Sequence, residues 1–255
     1  MGPAEIRHRL SDGETVFGTM AFEFNTSGLS AIAAEAGASF VLYDMEHTGW
    51  SIESIRAQMG WSKASDITRL VRVPSSRYED IARALDVGAQ GVMVPMVESA
   101  EQARQIGASM TYPPDGRRGA AFGIMHDHYS GGTPADKMSY ANETRICIAQ
   151  IETVAGVEAV EEIAAVPGVD VLWVGQYDLT LSMGIPAEWD NPRFPEALDR
   201  VAAAAKANGK IAGAMALSVE DARLWISRGF TMIAYWGDLW IYGQALKSAL
   251  DQLKD

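Results

Sequence analysis

The stretch FVLYDMEHTGW, residues 40–50, begins as a strand headed for a core and ends in charge. Phe40 to Tyr43 would suit a strand covered on both faces, yet Asp44, Glu46 and His47 follow at once. Ionised groups taken out of water are costly unless they are paired or put to use, so this strand feeds either a salt bridge or a site.

The same kind of run recurs along the chain: VFGTMAFEF from Val16, SFVLYDME from Ser39, ITRLVRVP from Ile67 and GVMVPMV from Gly91. RICIAQIE from Arg145, VDVLWVGQ from Val169, KIAGAMAL from Lys210 and FTMIAYWG from Phe230 complete eight candidate strands. Between them lie Ala-rich segments of helical period, such as SRYEDIARALD from Ser76 and FPEALDRVAAAAKAN from Phe194. Gly37, Gly88, Gly209 and Gly229 each separate a helical segment from the next strand, the position of a helix-terminating glycine.

Mostly continuous apolar strands alternating with helices predict a parallel sheet covered by helices. The simplest closure is a single (β/α)8 TIM barrel, and the 255 residues match the usual size of about 250 for that fold. No linker or shift in composition divides the chain, so residues 1–255 read as one α/β domain. A doubly wound open sheet competes, but its dinucleotide-binding form carries a glycine fingerprint after the first strand. FEFNTSGLS contains no G-x-G-x-x-G, and no P-loop occurs. One connection is long: after the fourth strand, Thr111 to Glu143 is rich in Gly, Pro and polar residues, and loops of this kind are usually lids or binding loops.

A formal charge of -12 argues against a nucleic-acid or anionic-membrane partner, which would want a basic face. Cys147 is the one cysteine, so there is no disulfide framework, and its apolar setting reads as a buried inert thiol in a reducing compartment. Charges at Glu5, Arg7, Arg9, Asp12 and Glu14 leave no room for a secretory signal, and no run of about 18 apolar residues offers a membrane span. The expected location is the cytoplasm.

In such barrels the chemistry sits at the carboxyl ends of the strands. Here those ends carry Asp44, Glu46 and His47 on the second strand, Arg72 on the third, Gln150 and Glu152 on the fifth, and Gln176 and Asp178 on the sixth. Strand alternation places Gln150 with Glu152, and Gln176 with Asp178, on shared faces. Each residue also has a structural reading. Asp178 could cap LTLSMG, Glu152 could open a helix, Arg72 could pair with Asp44 or Glu152, and His47 could simply be hydrogen-bonded. Their joint placement at one end of neighbouring strands argues for a site.

Two carboxylates beside a neutral Gln suit a hard divalent cation such as Mg2+ or Mn2+, with Co2+ or Zn2+ less well matched because His and Cys are scarce. His126 and His128 form an H-x-H pair that reads first as lid or surface histidines. No lysine falls at a strand carboxyl end, which argues against a Schiff-base aldolase, and no G-x-S-x-G elbow supports a serine hydrolase.

The segments YDMEHTGW, VRVP, LDVGAQGVMVPMVESAEQA, YPPDGRRG, AQIET and VDVLWVGQYDLTLSMG, in order from about Gly18 to the final helix, together resemble the HpcH/HpaI family of metal-dependent 2-oxoacid aldolases. The resemblance implies a (β/α)8 barrel, a hexamer whose last helix is exchanged between subunits, and a C–C bond made or cleaved between a 2-oxoacid enolate, of pyruvate or hydroxypyruvate type, and an aldehyde. It implies metal ligands at Glu152 and Asp178, an acid/base pair in Asp44 and His47 with His47 held by Asp44, and a catalytic Arg72. Gln150, Gln176, Tyr177 and Asp178 then fall on the substrate. Many relatives carry Gly-Pro and a small residue before the metal aspartate, where this chain has Gly175, Gln176 and Tyr177. AAFGIMHDHYSGG and YWGDLW also depart from the family pattern, so Trp236, Trp240, His126 and His128 either shape the acceptor pocket or merely pack. Rival readings are an oxaloacetate decarboxylase or macrophomate synthase-like enzyme, an acyl-CoA lyase for which Arg117 and Arg118 are the only adjacent arginine pair, and a silent metal-2-oxoacid binding protein.

Overall fold

The computed structural model describes residues 2–254. Its strands are β1 (Val16–Ala21), β2 (Phe40–Asp44), β3 (Thr68–Arg72), β4 (Gly91–Val94), β5 (Ile146–Ile151), β6 (Val171–Val174), β7 (Ile211–Ala216) and β8 (Met232–Gly237). Each pairs in parallel with the next, and β8 returns to β1, closing an eight-stranded barrel. The helices are α1 (Pro3–Ser11), α2 (Leu29–Glu35), α3 (Ile52–Trp61), α4 (Tyr78–Asp86), α5 (Ala100–Met110) and α6 (Pro134–Thr144). They continue with α7 (Val154–Glu158), α8 (Val160–Ala164), α9 (Gln176–Ser182), α10 (Arg193–Ala207), α11 (Val219–Ser227) and α12 (Asp238–Gln252). Among the described residues no helix is long and apolar enough to cross a membrane.

The strand runs are continuous in hydrophobicity because both faces are covered. One face packs inside the barrel, where Met20, Phe40, Leu42, Leu70, Met93, Ile148, Trp173 and Met232 form a cluster floored by Ile6 and Leu10 of α1. The other packs under the helices, where Val41, Tyr43, Val71, Val92, Cys147 and Leu172 belong to a second, larger cluster. Successive side chains point to opposite faces, so Phe40 and Leu42 predict an inward Asp44, Leu70 an inward Arg72, and Ile148 an inward Gln150. The last inward position of these strands is thus polar, and it lies at the carboxyl end. Gly37, Gly88, Gly209 and Gly229 take φ of +93°, +110°, +62° and +95°, the left-handed geometry expected of helix-ending glycines.

The long segment departs from its expected role. It joins α5 to β5, and a helix-to-strand connection runs to the amino end of the barrel, opposite the strand ends that carry the polar residues. It also carries structure of its own, the 3-10 turn Met125–Asp127 and α6. It is therefore no lid over the site of its own chain; length alone signalled a loop, but the direction of the connection decides which end it serves.

Gly91 illustrates how tightly the strands close. A Cβ there would lie 2.6 Å from the Ile146 carbonyl oxygen and 2.7 Å from Leu70 Cδ2. Gly91→Ala is expected to cost about 1–3 kcal/mol through overpacking. Urea unfolding should show a lower midpoint with an unchanged slope; an unshifted midpoint would mean the barrel wall yields at no cost.

Candidate active site

Asp44 is fully buried and makes three contacts with its two carboxylate oxygens. Oδ1 accepts from Arg72 Nε at 2.6 Å and from the backbone N–H of Glu46 at 3.1 Å, and Oδ2 accepts from the N–H of His47 at 3.0 Å. Asp44 and Arg72 are register partners across β2 and β3, so sheet pairing itself brings the two charges together. The loop after β2 is thereby folded back on Asp44, and Thr48 Oγ1 adds a bond to the Asp44 carbonyl at 2.6 Å.

This arrangement amends the expected acid/base pair. Asp44 holds the backbone of His47, whereas the half-exposed imidazole lies beside Glu46, with Nε2 3.5 Å from Glu46 Oε2. Glu46 also reaches Arg72, whose Nε is 3.3 Å from Oε2. That oxygen is buried and has no hydrogen-bond partner. Burial, which outweighs the pull of Arg72, pushes the Glu46 carboxyl up to about 6, with Asp44 and Asp178 adding repulsion.

Across the barrel mouth, Glu152 is 1% exposed. Its Oε1 accepts the backbone N–H of Met96 at 2.7 Å, and its Oε2 accepts from Gln150 Nε2. The shared face predicted for Gln150 and Glu152 is thus realised. Burial raises the Glu152 carboxyl to about 7; the Met96 N–H opposes the rise, while Glu46 and Asp178 reinforce it. Gln150 Oε1 is a second buried acceptor without a partner. Gly175 leaves the space these groups need, since a Cβ there would come within 2.8 Å of Gln150 Nε2 and closer still to Glu152 Oε2.

Gln176 and Asp178 reach the same mouth by a different route from the one expected. β6 ends at Val174 and Gly175 is the N-cap of α9, so Gln176, Tyr177 and Asp178 form the first turn of a helix, and strand alternation does not apply. Asp178 is coupled to both Glu46 and Glu152. The Gln176 side chain turns instead to the Met215 carbonyl, at 2.8 Å, and the exposed Tyr177 ring stands edge-on to Trp189 with centroids 5.2 Å apart. Both side chains thus have partners within the chain.

Phe22, Met96 and Asp238 are neighbours that strand-end reading passed over. The Arg72 guanidinium carbon lies 5.8 Å from the Phe22 ring, and Trp240 meets that ring edge-on at 4.8 Å. Asp238 fastens the end of β1 to β8 by accepting backbone N–H bonds from Phe22, Glu23 and Phe24. Met96, with φ of +54°, presents its N–H to Glu152 from the left-handed region, which no sequence pattern announces for a non-glycine residue. Asp238 alone had a signal, an acidic residue at a strand end.

His126, His128, Arg117 and Arg118 lie elsewhere. His126 Nε2 bonds the Ala121 carbonyl at 2.7 Å, and His128 shares a cavity with Arg69 of β3 and with Ala89 and Gln90 just before β4, at the amino end of the barrel. Arg118 pairs with Asp86 at 2.8 Å, and Arg117 sits on the Tyr78 ring. The arginine pair therefore offers no phosphate grip at the mouth.

Among the described residues no three or more His, Cys, Asp or Glu side chains cluster as a ready cation cage. The donors that could hold a metal are Glu152 and Asp178. Gln150 Oε1, which has no hydrogen-bond partner among the described residues, and Glu46 Oε2, which has ion-pair neighbours but no hydrogen bond, fit a cation and an oxygen-rich ligand that complete the set. Chemically, the mouth combines acidic groups that titrate near neutrality, one buried arginine and one half-exposed imidazole.

Comparison with known proteins places this geometry. The model of the family HpcH/HpaI aldolase/citrate lyase matches residues 22–240. The chain is 35% identical over 219 residues to 5-keto-4-deoxy-D-glucarate aldolase of Klebsiella pneumoniae, covering 86% of this chain and 85% of that protein. It is 34% identical over 243 residues to hydroxypyruvate/pyruvate aldolase of Chromohalobacter salexigens, covering 95% of each. Among solved structures, HpcH/HpaI aldolase from Desulfitobacterium hafniense superposes with a TM-score of 0.93 at 29% identity, over 98% of this chain and 96% of that one.

Because Glu46 and Glu152 hold protons to higher pH when folded than when unfolded, the folded chain binds more protons between the two ranges, and stability falls as pH rises through the window from about 4.5 to about 7. EDTA-treated protein should therefore melt lower at about pH 8 than at about pH 5, each 1 kcal/mol corresponding to about 2–4 °C. Glu152→Gln should flatten much of that slope in a calorimetric melt. An unchanged slope in the variant would show that burial of Glu152 is not its source.

Proposed function

The chain belongs to the HpcH/HpaI aldolase/citrate lyase family and is a carbon–carbon lyase of the aldolase type, and on that premise we propose that residues 1–255 act as one metal-dependent unit joining or cleaving a 2-oxoacid enolate and an aldehyde. The observation that carries this reading is the convergence of Glu152, Asp178 and Glu46 at the mouth, with Glu46 resting on the Asp44–Arg72 pair. Donors of pyruvate or hydroxypyruvate type agree with the name of the Chromohalobacter relative.

Glu152 and Asp178 would hold a divalent ion, Mg2+ or Mn2+ ahead of Co2+ or Zn2+, which when bound supplies Lewis acidity toward the donor's 2-oxo group. Gln150 would orient the donor through its unpaired Oε1 edge, and the backbone N–H groups of Tyr177 and Asp178 in the first turn of α9 would meet its carboxylate. Arg72 engages both Asp44 and Glu46 through Nε, which leaves its Nη edge for negative charge developing on the enolate or aldehyde oxygen. His47, its backbone set by Asp44 and its ring beside Glu46, would exchange the proton at C3 of the donor.

The assay follows deuterium uptake at C3 of pyruvate by proton NMR in D2O with Mg2+ or Mn2+, which needs no aldehyde. Exchange should vanish with EDTA and in Glu152→Ala, fall by about 10²-fold to 10⁴-fold in His47→Ala, and stay low in Arg72→Lys, because lysine cannot reproduce the fork geometry. Undiminished exchange in Glu152→Ala would remove the proposed ligand set. Decarboxylation of oxaloacetate without aldehyde-dependent product would shift the reading to the decarboxylase alternative.

The proposed assembly is a hexamer with α12 exchanged between subunits. In its support, Ile241, Leu246, Leu250 and Leu253 of the terminal segment are exposed, and Phe17 on the outer wall of β1 is 47% exposed beside a cavity of about 650 Å³ between α2 and α12. An apolar surface of that kind marks an interface. Light scattering should give six chains per particle, and removal of residues 239–255 should break it down; a monomer at micromolar concentration would refute the assembly.

A further inference from the structure

A cavity of about 360 Å³ opens at the amino end of the barrel, beneath the segment that connects α5 to β5. Arg69, at the start of β3, lines it and is 6% exposed. The other cations around the cavity, buried Arg118 and the partly buried Lys137 and Arg145, are matched by carboxylates: Arg118 by Asp86 at 2.8 Å, Lys137 by Asp127 at 2.6 Å, and Arg145 by Asp170 at 3.7 Å. Arg69 differs. Among the described residues its Nε reaches only the neutral Gln90 Oε1, at 3.2 Å, an oxygen already taken by the Arg69 backbone N–H at 3.0 Å, and no carboxylate pairs with it. A buried guanidinium with no counter-charge is expensive, so its retention calls for an anion the chain does not itself supply.

Independent features point the same way. The His128 imidazole in the same wall is held below its ordinary range first by burial and then by Lys63 and Arg69, against the opposing pull of Asp127. Two residues of the wall, Arg118 and Asp127, each keep a buried polar atom, Nε and Oδ1, without a hydrogen-bond partner among the described residues. The backbone around the cavity is strained: His128 and Tyr129 stand consecutively at φ of +60° and +56°, a left-handed conformation unfavourable outside glycine. Lys137 ties this turn down by donating to both Asp127 Oδ2 and the Ser130 carbonyl at 2.6 Å. Asp127 is neutralised by that lysine, and Asp136, the other carboxylate in the wall, accepts from Thr133 Oγ1 at 2.7 Å.

We propose that this cavity is a binding site for a small oxyanion, a phosphate or carboxylate group, seated on the Arg69 guanidinium. The site is separate from the carboxylates at the barrel mouth and takes no part in the bond-making step. Its occupant supplies the charge that Arg69 lacks and thereby ties β3 to the turn around His128.

The test titrates the full chain, with EDTA present to keep the mouth free of metal, with inorganic phosphate and separately with glycolate in a calorimeter. One anion bound per chain is expected, and the tighter of the two names the source class. Gln90→Glu keeps the acceptor for Arg69 but adds an internal counter-charge, and should weaken binding by at least about tenfold while the protein stays folded. Arg69→Met should abolish binding, and phosphate or glycolate should then no longer raise its melting temperature. Glu152→Gln, at the opposite end, should bind as the wild type does. The proposal is overturned if neither anion binds at about 10 mM, or if binding survives in Gln90→Glu and in Arg69→Met, or if it is lost in Glu152→Gln.

Discussion

Asp44 is the fixed point of the mouth. Removed from water, it is stabilised by one charge-assisted bond from Arg72 and two backbone N–H groups, and each bond positions something else. The guanidinium is oriented by the first, and the Glu46–His47 turn by the others. A buried pair of this kind contributes little net stability, yet losing one partner leaves an uncompensated charge at a cost of about 3–5 kcal/mol. Substitution of Asp44 therefore disturbs Arg72, Glu46 and His47 together.

The closed sheet supplies the rest of the geometry. Parallel pairing in register sets Asp44 against Arg72, and the pleat turns Gln150 inward while a tight backbone at Gly175 lets Glu152 approach it. Hydrophobic side chains fill the barrel below, so the polar groups are raised to the mouth and partly desolvated there. That desolvation, rather than any single neighbour, moves Glu46 and Glu152 toward neutrality.

Most of this was legible in the sequence, because two periodicities carry it. Eight apolar runs and their glycine stops predicted the barrel, the strand ends predicted where the polar residues gather, and alternation at the end of β5 put Gln150 and Glu152 on one face. Gln176 and Asp178 were found at the right end for an inapplicable reason, since Gly175 had already started a helix. Glu46 was visible but given no role, as its importance lies in burial that a linear reading does not register. Met96 and Phe22 were silent: one acts through a backbone amide in a left-handed conformation, the other through an aromatic ring that any core could contain. The segment around His126 and His128 was left open between a lid and a surface or binding loop, because length identifies a loop, while only the order of helix and strand tells which rim it decorates.

The Met96 amide has a mechanical consequence. Gln102 of α5 donates through Nε2 to the Met96 carbonyl at 3.0 Å and accepts from the Glu98 N–H at 2.9 Å, so the start of an outer helix grips the residue that bonds Glu152. That amide, together with the Gln150 side chain, restrains the carboxyl's upward shift. A displacement of α5 by less than an ångström, far from any substrate, would lengthen the bond and leave Glu152 holding its proton more firmly. The outer ring of helices is thus a lever on acidity at the centre as well as a coat for the barrel.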